Sequence, residues 1–150
     1  MNVIDSIDER ILRELSRDGR ASNVELARRV GLSPSACLRR VQALERAGTI
    51  AGYRATLDRH RIGRGFLAYV AVGLADHSKR AQEAFERSID LAREVSECHN
   101  VTGTVEYLLR VETADLDAYK VFHTHVLGAL PGVATITSYI VMASPKDERG

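Results

Sequence analysis

The chain has 150 residues, 45% of them hydrophobic and 27% charged, with a formal net charge of +1. That length suits one ordinary domain or two small ones, and the composition is that of a folded globular protein rather than a disordered tail. No run approaches the roughly 20 apolar residues of a membrane span, the mixed start MNVIDSIDER does not read as a signal peptide, and Cys37 and Cys98 sit in apolar patterns as reduced thiols, so a cytoplasmic protein without a membrane partner is expected.

Asp5 followed by Asp8 resembles a helix start, because carboxylates suit the positive end of the helix dipole. Ile7, Ile11, Leu12 and Leu15 then repeat at helical spacing until Asp18-Gly19, which predicts a helix over 5–17. Ser22 and Glu25 fit the S-x-x-E capping box of a second helix over 22–30, with Leu26, Ala27 and Val30 on its apolar side and Gly31 to end it. Ser33 offers a new N-cap and Pro34 the first position of a third helix, 33–47, closed by Gly48. Two capped helices joined by a glycine turn are a helix-turn-helix signal.

The third helix divides its residues by chemistry. At about 100° per residue, Cys37, Val41 and Leu44 share one side, with Leu38 on its flank. Ser35, Arg39, Gln42 and Arg46 fall opposite, and Arg40 lies at the edge. Arginine and glutamine carry the forked donors and acceptors that read guanine and adenine edges in a major groove. A solvated charged surface is the competing reading of the arginines, and the capped pair with its turn tips the balance to DNA. The charge distribution agrees. Residues 1–62 hold 12 Arg, no Lys and 8 Asp+Glu, an excess of four, whereas residues 63–150 are net acidic. An excess this modest suggests binding as an oligomer. The expected DNA-contacting set is Ser33, Ser35, Arg39, Arg40, Gln42, Arg46 and Arg54, with Ser35, Arg39 and Gln42 on bases and Arg40 and Arg46 on phosphates.

After Gly48, residues 49–57 lose the helical period and are expected to form an extended wing or strand that helps bury the helices, with Arg54 able to reach a phosphate. Residues 58–65, DRHRIGRG, are polar, basic and glycine-rich and mark the boundary, giving domains 1–62 and 63–150. Beyond it, strands are expected over 66–74, 95–102, 107–112 and 133–142. Helices are expected from Ser78, with Ala81, Phe85, Ile89 and Ala92 inward, and over 115–130, where Leu116, Tyr119, Val126, Leu127 and Leu130 supply apolar contacts. The order βαββαβ is the ferredoxin-like pattern, a four-stranded antiparallel sheet with both helices on one face. Strands one and four look too apolar to leave the other face wet, which suggests that a second copy covers it. The fold class is therefore α+β: a winged helix-turn-helix followed by a ferredoxin-like domain.

IDERILREL, DGRASNVELARRVGLSPSACLRRVQALERAGTI, ECHNVTG, EYLLRV and the closing LPGV and TSYIVM together resemble the Lrp/AsnC, or feast/famine, family of bacterial and archaeal transcription regulators, over essentially the whole chain. The resemblance implies a winged-helix protein bound to double-stranded promoter DNA as an activator or repressor. It also implies dimers, often built into octamers, and a sensing domain modulated by a small amino acid in place of any cofactor. By motif the implied effector residues are Asn100, Thr102, Gly103, Thr104, Glu106, Leu116, Tyr139, Ile140 and Val141, at contacts between dimers near the loop after the second strand. Many members place an aspartate after the loop glycine and a second one two residues on, whereas this chain reads Gly103-Thr104-Val105-Glu106 and keeps a single, longer acid to hold an ammonium group.

No motif supports an enzyme or a metal site, and an enzyme reading rests only on the ferredoxin-like fold, which hosts small enzymes elsewhere. His123 and His125 are two apart on a predicted helix and face different ways, Cys98-His99 lacks a second pair at zinc spacing, and no nucleophile has a motif linking it to a base. The remaining alternatives are an architectural DNA-binding protein, or a ligand-binding assembly module without an amino-acid switch.

Overall fold

The computed structural model describes residues 4–147. It divides into two compact units, Met1–Ala55 and Thr56–Gly150, so residues 56–62, expected at the end of the first domain, group with the second. There they form a self-bonded turn. The Asp58 carboxylate accepts from the N–H groups of His60 (3.0 Å) and Arg61 (3.2 Å), and Arg64 N–H donates to the Arg59 carbonyl at 2.7 Å.

The first unit is three helices, α1 (Ser6–Arg17), α2 (Asn23–Val30) and α3 (Pro34–Arg46). Asp5 and Asp8 form a complete capping box on α1. The box expected on α2 is half-built. Ser22 Oγ accepts from Glu25 N–H at 3.2 Å, but the Glu25 carboxylate turns instead to Arg28 (2.7 Å) and Arg29 (2.9 Å), where two guanidiniums outbid one backbone donor and hold its pKa down at about 2. Gly31 ends α2 with φ +74°, a conformation that strains any residue with a Cβ, while Leu32 N–H reaches back to the Ala27 carbonyl at 2.9 Å. Ile11, Leu26, Ala27, Val30, Cys37 and Leu44 fill the core, with Ile50 packed partly against it. No strand forms over 49–57. The segment has no second strand in this unit to pair with, so the expected wing is an unpaired irregular run, pinned by Tyr53 O–H donating to Glu45 at 2.8 Å.

The second unit is one antiparallel sheet in the order β2-β3-β1-β4, built from β1 (Phe66–Leu74), β2 (Val95–Asn100), β3 (Tyr107–Thr113) and β4 (Val133–Ile140). Between strands run α4 (Lys79–Asp90) and α5 (Leu116–Val121). Ala68, Val70 and Val72 of β1 and Leu109 and Val111 of β3 make the core with Phe85, Ile89, Tyr119, Phe122 and Leu127. The expected long second helix is broken up: α5 widens into a π turn over Phe122–Val126 and tightens to a 3-10 turn over Leu127–Ala129. Leu130 is extended because Pro131 follows it, which halts any helix there. Leu116 supplies no core contact; it opens α5 at 57% exposure.

The sheet face away from that core differs from expectation. The register aligns Tyr69 with Arg110 on one side and Tyr139 on the other, and Arg110 is buried in an ion pair with Glu112. β4 sets Thr135, Thr137 and Tyr139 on this face and β3 sets Leu108 there beside Arg110; Leu67 and Ala71 of β1 are already buried inside one protomer, while Leu108 and Tyr139 stay exposed.

Candidate nucleic-acid interface and effector site

The turn between α2 and α3 is locked at both ends. Ser33 Oγ accepts from Ala36 N–H at 3.3 Å as the N-cap of α3, and Asn23 Nδ2 donates to the Pro34 carbonyl at 2.7 Å, fixing the start of one helix to the start of the next. Asn23 carries no motif that marks this role, since its partner is a main-chain oxygen eleven positions away. From this base α3 buries Cys37 and Leu44 and exposes Ser35, Arg39, Gln42 and Arg46 on one strip. Among the described residues no ion pair occupies Arg39, Arg46 or the exposed Arg54.

Arg40 is different. Its Nη1 lies 2.8 Å from Asp5 Oδ2 and 2.8 Å from Asp8 Oδ1, so its charge is spent holding α3 to the capping box of α1. The Asp5 carboxyl is held below its ordinary range, first by the Asp8 N–H and then by this guanidinium. Leu38, expected on the core flank, is 46% exposed and borders the strip on the Gln42 side. Ser33, expected on DNA, has its hydroxyl engaged in the cap.

The residues expected to hold an effector fall into two groups. Asn100 ends β2, and Thr102, Gly103, Thr104 and Glu106 follow in the turn to β3, beside the Val72–Ile136 end of the sheet. Tyr139, Ile140 and Val141, with Leu116, sit at the other end, where Ile140 pairs with Ala68. The offset from residue 136 to residue 140 is about 13 Å along the strand, and two or three strand spacings add about 10–14 Å across it. One protomer does not bring the set together.

Within the turn, Asn100 Nδ2 donates to the Glu106 carbonyl at 3.2 Å, closing the loop on itself. The Glu106 side chain is committed. Its Oε2 accepts from Leu74 N–H at 2.7 Å and its Oε1 lies 2.6 Å from His77 Nδ1. The Leu74 N–H, and after it His77, keep this carboxyl below its ordinary range. The anion that the spacing offers to an ammonium group is therefore tying the loop to the end of β1. The N–H groups of Thr102, Gly103 and Thr104 make no main-chain hydrogen bond among the described residues. A separate cleft of about 300 Å³ lies between α4 and β2, lined by Glu86, Asp90, Cys98 and Tyr107, and takes in only Asn100 of the expected set.

The Lrp/AsnC ligand binding domain matches residues 67–150, and the AsnC-type helix-turn-helix domain matches residues 4–45. The chain belongs to the Lrp/AsnC family. It is 43% identical to the leucine-responsive regulatory protein of Escherichia coli K12 over 143 residues, 95% of this chain and 87% of that one. Among solved structures it is similar to a Neisseria meningitidis transcriptional regulator in complex with L-methionine (TM-score 0.92, 36% identity, 97% of this chain and 94% of that chain). It is also similar to a feast or famine regulatory protein of Mycobacterium tuberculosis complexed with L-methionine (TM-score 0.82, 32% identity, 99% and 98%). This Lrp/AsnC chain is thus a helix-turn-helix DNA-binding transcriptional regulator.

Proposed function

We propose that this regulator binds double-stranded promoter DNA as a dimer that builds octamers, and that a small amino acid, bound where copies meet, changes its assembly and its DNA affinity. The unit ending at Ala55 is the reading head, and the sheet unit senses and assembles. Ser35, Arg39 and Gln42 face bases, while Arg46 and Arg54 face phosphates. Arg40 and Ser33 serve DNA indirectly, by holding and capping α3. The protein works in the cytoplasm on the nucleoid.

The observation that carries this reading is the outward strip of α3, where Arg39 stands free of the ion pairs that engage Arg28, Arg29 and Arg40 and Gln42 is exposed nearby. For the effector, the free N–H groups of the β2–β3 turn suit a carboxylate, and the distant Leu116 and Tyr139–Val141 group is supplied by a second copy. With Glu106 engaged, the ammonium group is held by carbonyl oxygens or by an acid of that second copy. The relatives' leucine response and bound L-methionine support an amino acid with an apolar side chain.

Thermal-shift screening against the standard amino acids, followed by sizing and DNA-binding titrations with any hit, tests the proposal. At least one amino acid is expected to raise the melting temperature and to change both particle size and DNA affinity. If none alters size or affinity while salt-sensitive DNA binding persists, the architectural reading replaces this one.

A further inference from the structure

We propose that Leu38 reads the 5-methyl group of a thymine in the operator. The proposal rests on α3 being the base-reading helix. Leu38 stands 46% exposed within a 13-residue helix whose core side is supplied by Cys37, Val41 and Leu44. At about 100° per residue it lies about 40° from Gln42 and about 60° from Ser35, flanking the strip assigned to bases on its Gln42 side. It is the only large apolar side chain that α3 exposes, and the exposed residues around it (Ser35, Arg39, Gln42, Glu45 and Arg46) are polar or charged.

A protein partner would meet one apolar contact among charges, which is too little to dock on. A major groove presents the matching pattern. It offers guanine O6 and N7 to an arginine, adenine N6 and N7 to a glutamine, and one apolar feature, the thymine methyl. Leu38 and Gln42 are four positions apart and so are neighbours on the helix surface. An adenine held by Gln42 carries a thymine opposite it, whose methyl projects into the same groove. That places an apolar group where Leu38 already is, and burying both removes apolar surface from water.

The test begins with an operator selected from random duplexes by the full-length protein. Each thymine is then replaced in turn by deoxyuracil, which removes only the methyl, and binding is measured for wild type, Leu38→Ala, Leu38→Met and Arg39→Ala. One thymine, or a symmetry-related pair, is expected to weaken wild-type binding about fourfold per methyl lost. Leu38→Ala should bind the thymine operator that much more weakly and be indifferent to the same replacement, while Leu38→Met keeps the discrimination. Thermal midpoints of the Leu38 variants should match wild type. If no methyl deletion separates wild type from Leu38→Ala while Arg39→Ala still loses affinity, the Leu38 assignment is wrong and the base-reading helix stands. If Arg39→Ala also binds unchanged, the base-reading helix itself is wrong.

Discussion

Arg39 and Arg40 are adjacent, chemically identical and expected to fail in opposite ways. Arg39 is exposed and makes no ion pair, so Arg39→Ala should leave the fold untouched and remove a base contact worth about 1–3 kcal/mol, or about 5- to 150-fold in affinity per half-site. Affinity for unrelated duplex should fall far less. Arg40 bridges Asp5 and Asp8 at 2.8 Å each, so Arg40→Ala should lower the thermal midpoint and affect specific and non-specific binding to a similar, smaller degree. The pH dependence has a definite sign. The folded Asp5 carboxyl is depressed by the Asp8 N–H and by Arg40, so its stabilisation is full above the ordinary aspartate range and fades as pH falls through the folded value. The gap between wild type and Arg40→Ala should therefore be widest near neutral pH and close on acidification. Fluorescence anisotropy on operator and scrambled duplexes, with circular-dichroism melts from pH 7 to 3, reads all of this. A lowered melt for Arg39→Ala, together with an unchanged melt and lost operator preference for Arg40→Ala, would refute the assignment.

Arg46→Ala should weaken operator and unrelated duplex alike and flatten the slope of log affinity against log salt by about 0.9 per phosphate contact, measured by anisotropy across a salt series. Glu106→Gln keeps an oxygen for Leu74 N–H but loses the charge beside His77, so the wild type should melt higher than this variant at neutral pH and lose that advantage as pH falls through the depressed carboxyl value. An advantage that grew on acidification would contradict that geometry. Ile11 is fully buried in the three-helix core, and Ile11→Ala should cost about 2–5 kcal/mol, enough to abolish DNA binding while hydrogen exchange in β1 and β3 stays protected.

What the chain discloses by itself is what its neighbours in sequence decide. Ser22, Ser33 and Asp115 cap their helices through N–H groups three residues ahead, and Gly31 turns the chain by its own freedom, so the helix pair was legible. The β-strands were legible within a residue or two at their ends, β1 most plainly from its apolar run. The fate of Arg40 was not, because it is settled by Asp5 and Asp8, more than thirty positions earlier. The partners of Glu106 were hidden for the same reason: a backbone N–H and a histidine about as far back capture its carboxylate. Residues 49–57 read as a strand by composition, yet a strand exists only where a partner lies alongside. The π turn within the last helix has no local signature at all, and the two-ended layout of the effector residues emerges only from strand register.

The proposal that two copies share the effector site follows from that layout, and a mixing experiment tests it most directly. Thr104→Arg blocks the β2–β3 turn and Leu116→Arg blocks the opposite end, each at an exposed position. Each variant alone should lose the amino-acid-induced change in particle size and DNA affinity. Refolded or co-expressed together, they should regain part of it, because some contacts then join an intact turn to an intact Leu116. If the mixture stays as unresponsive as either variant alone while still assembling, the site lies within one protomer and the account of a shared site is wrong.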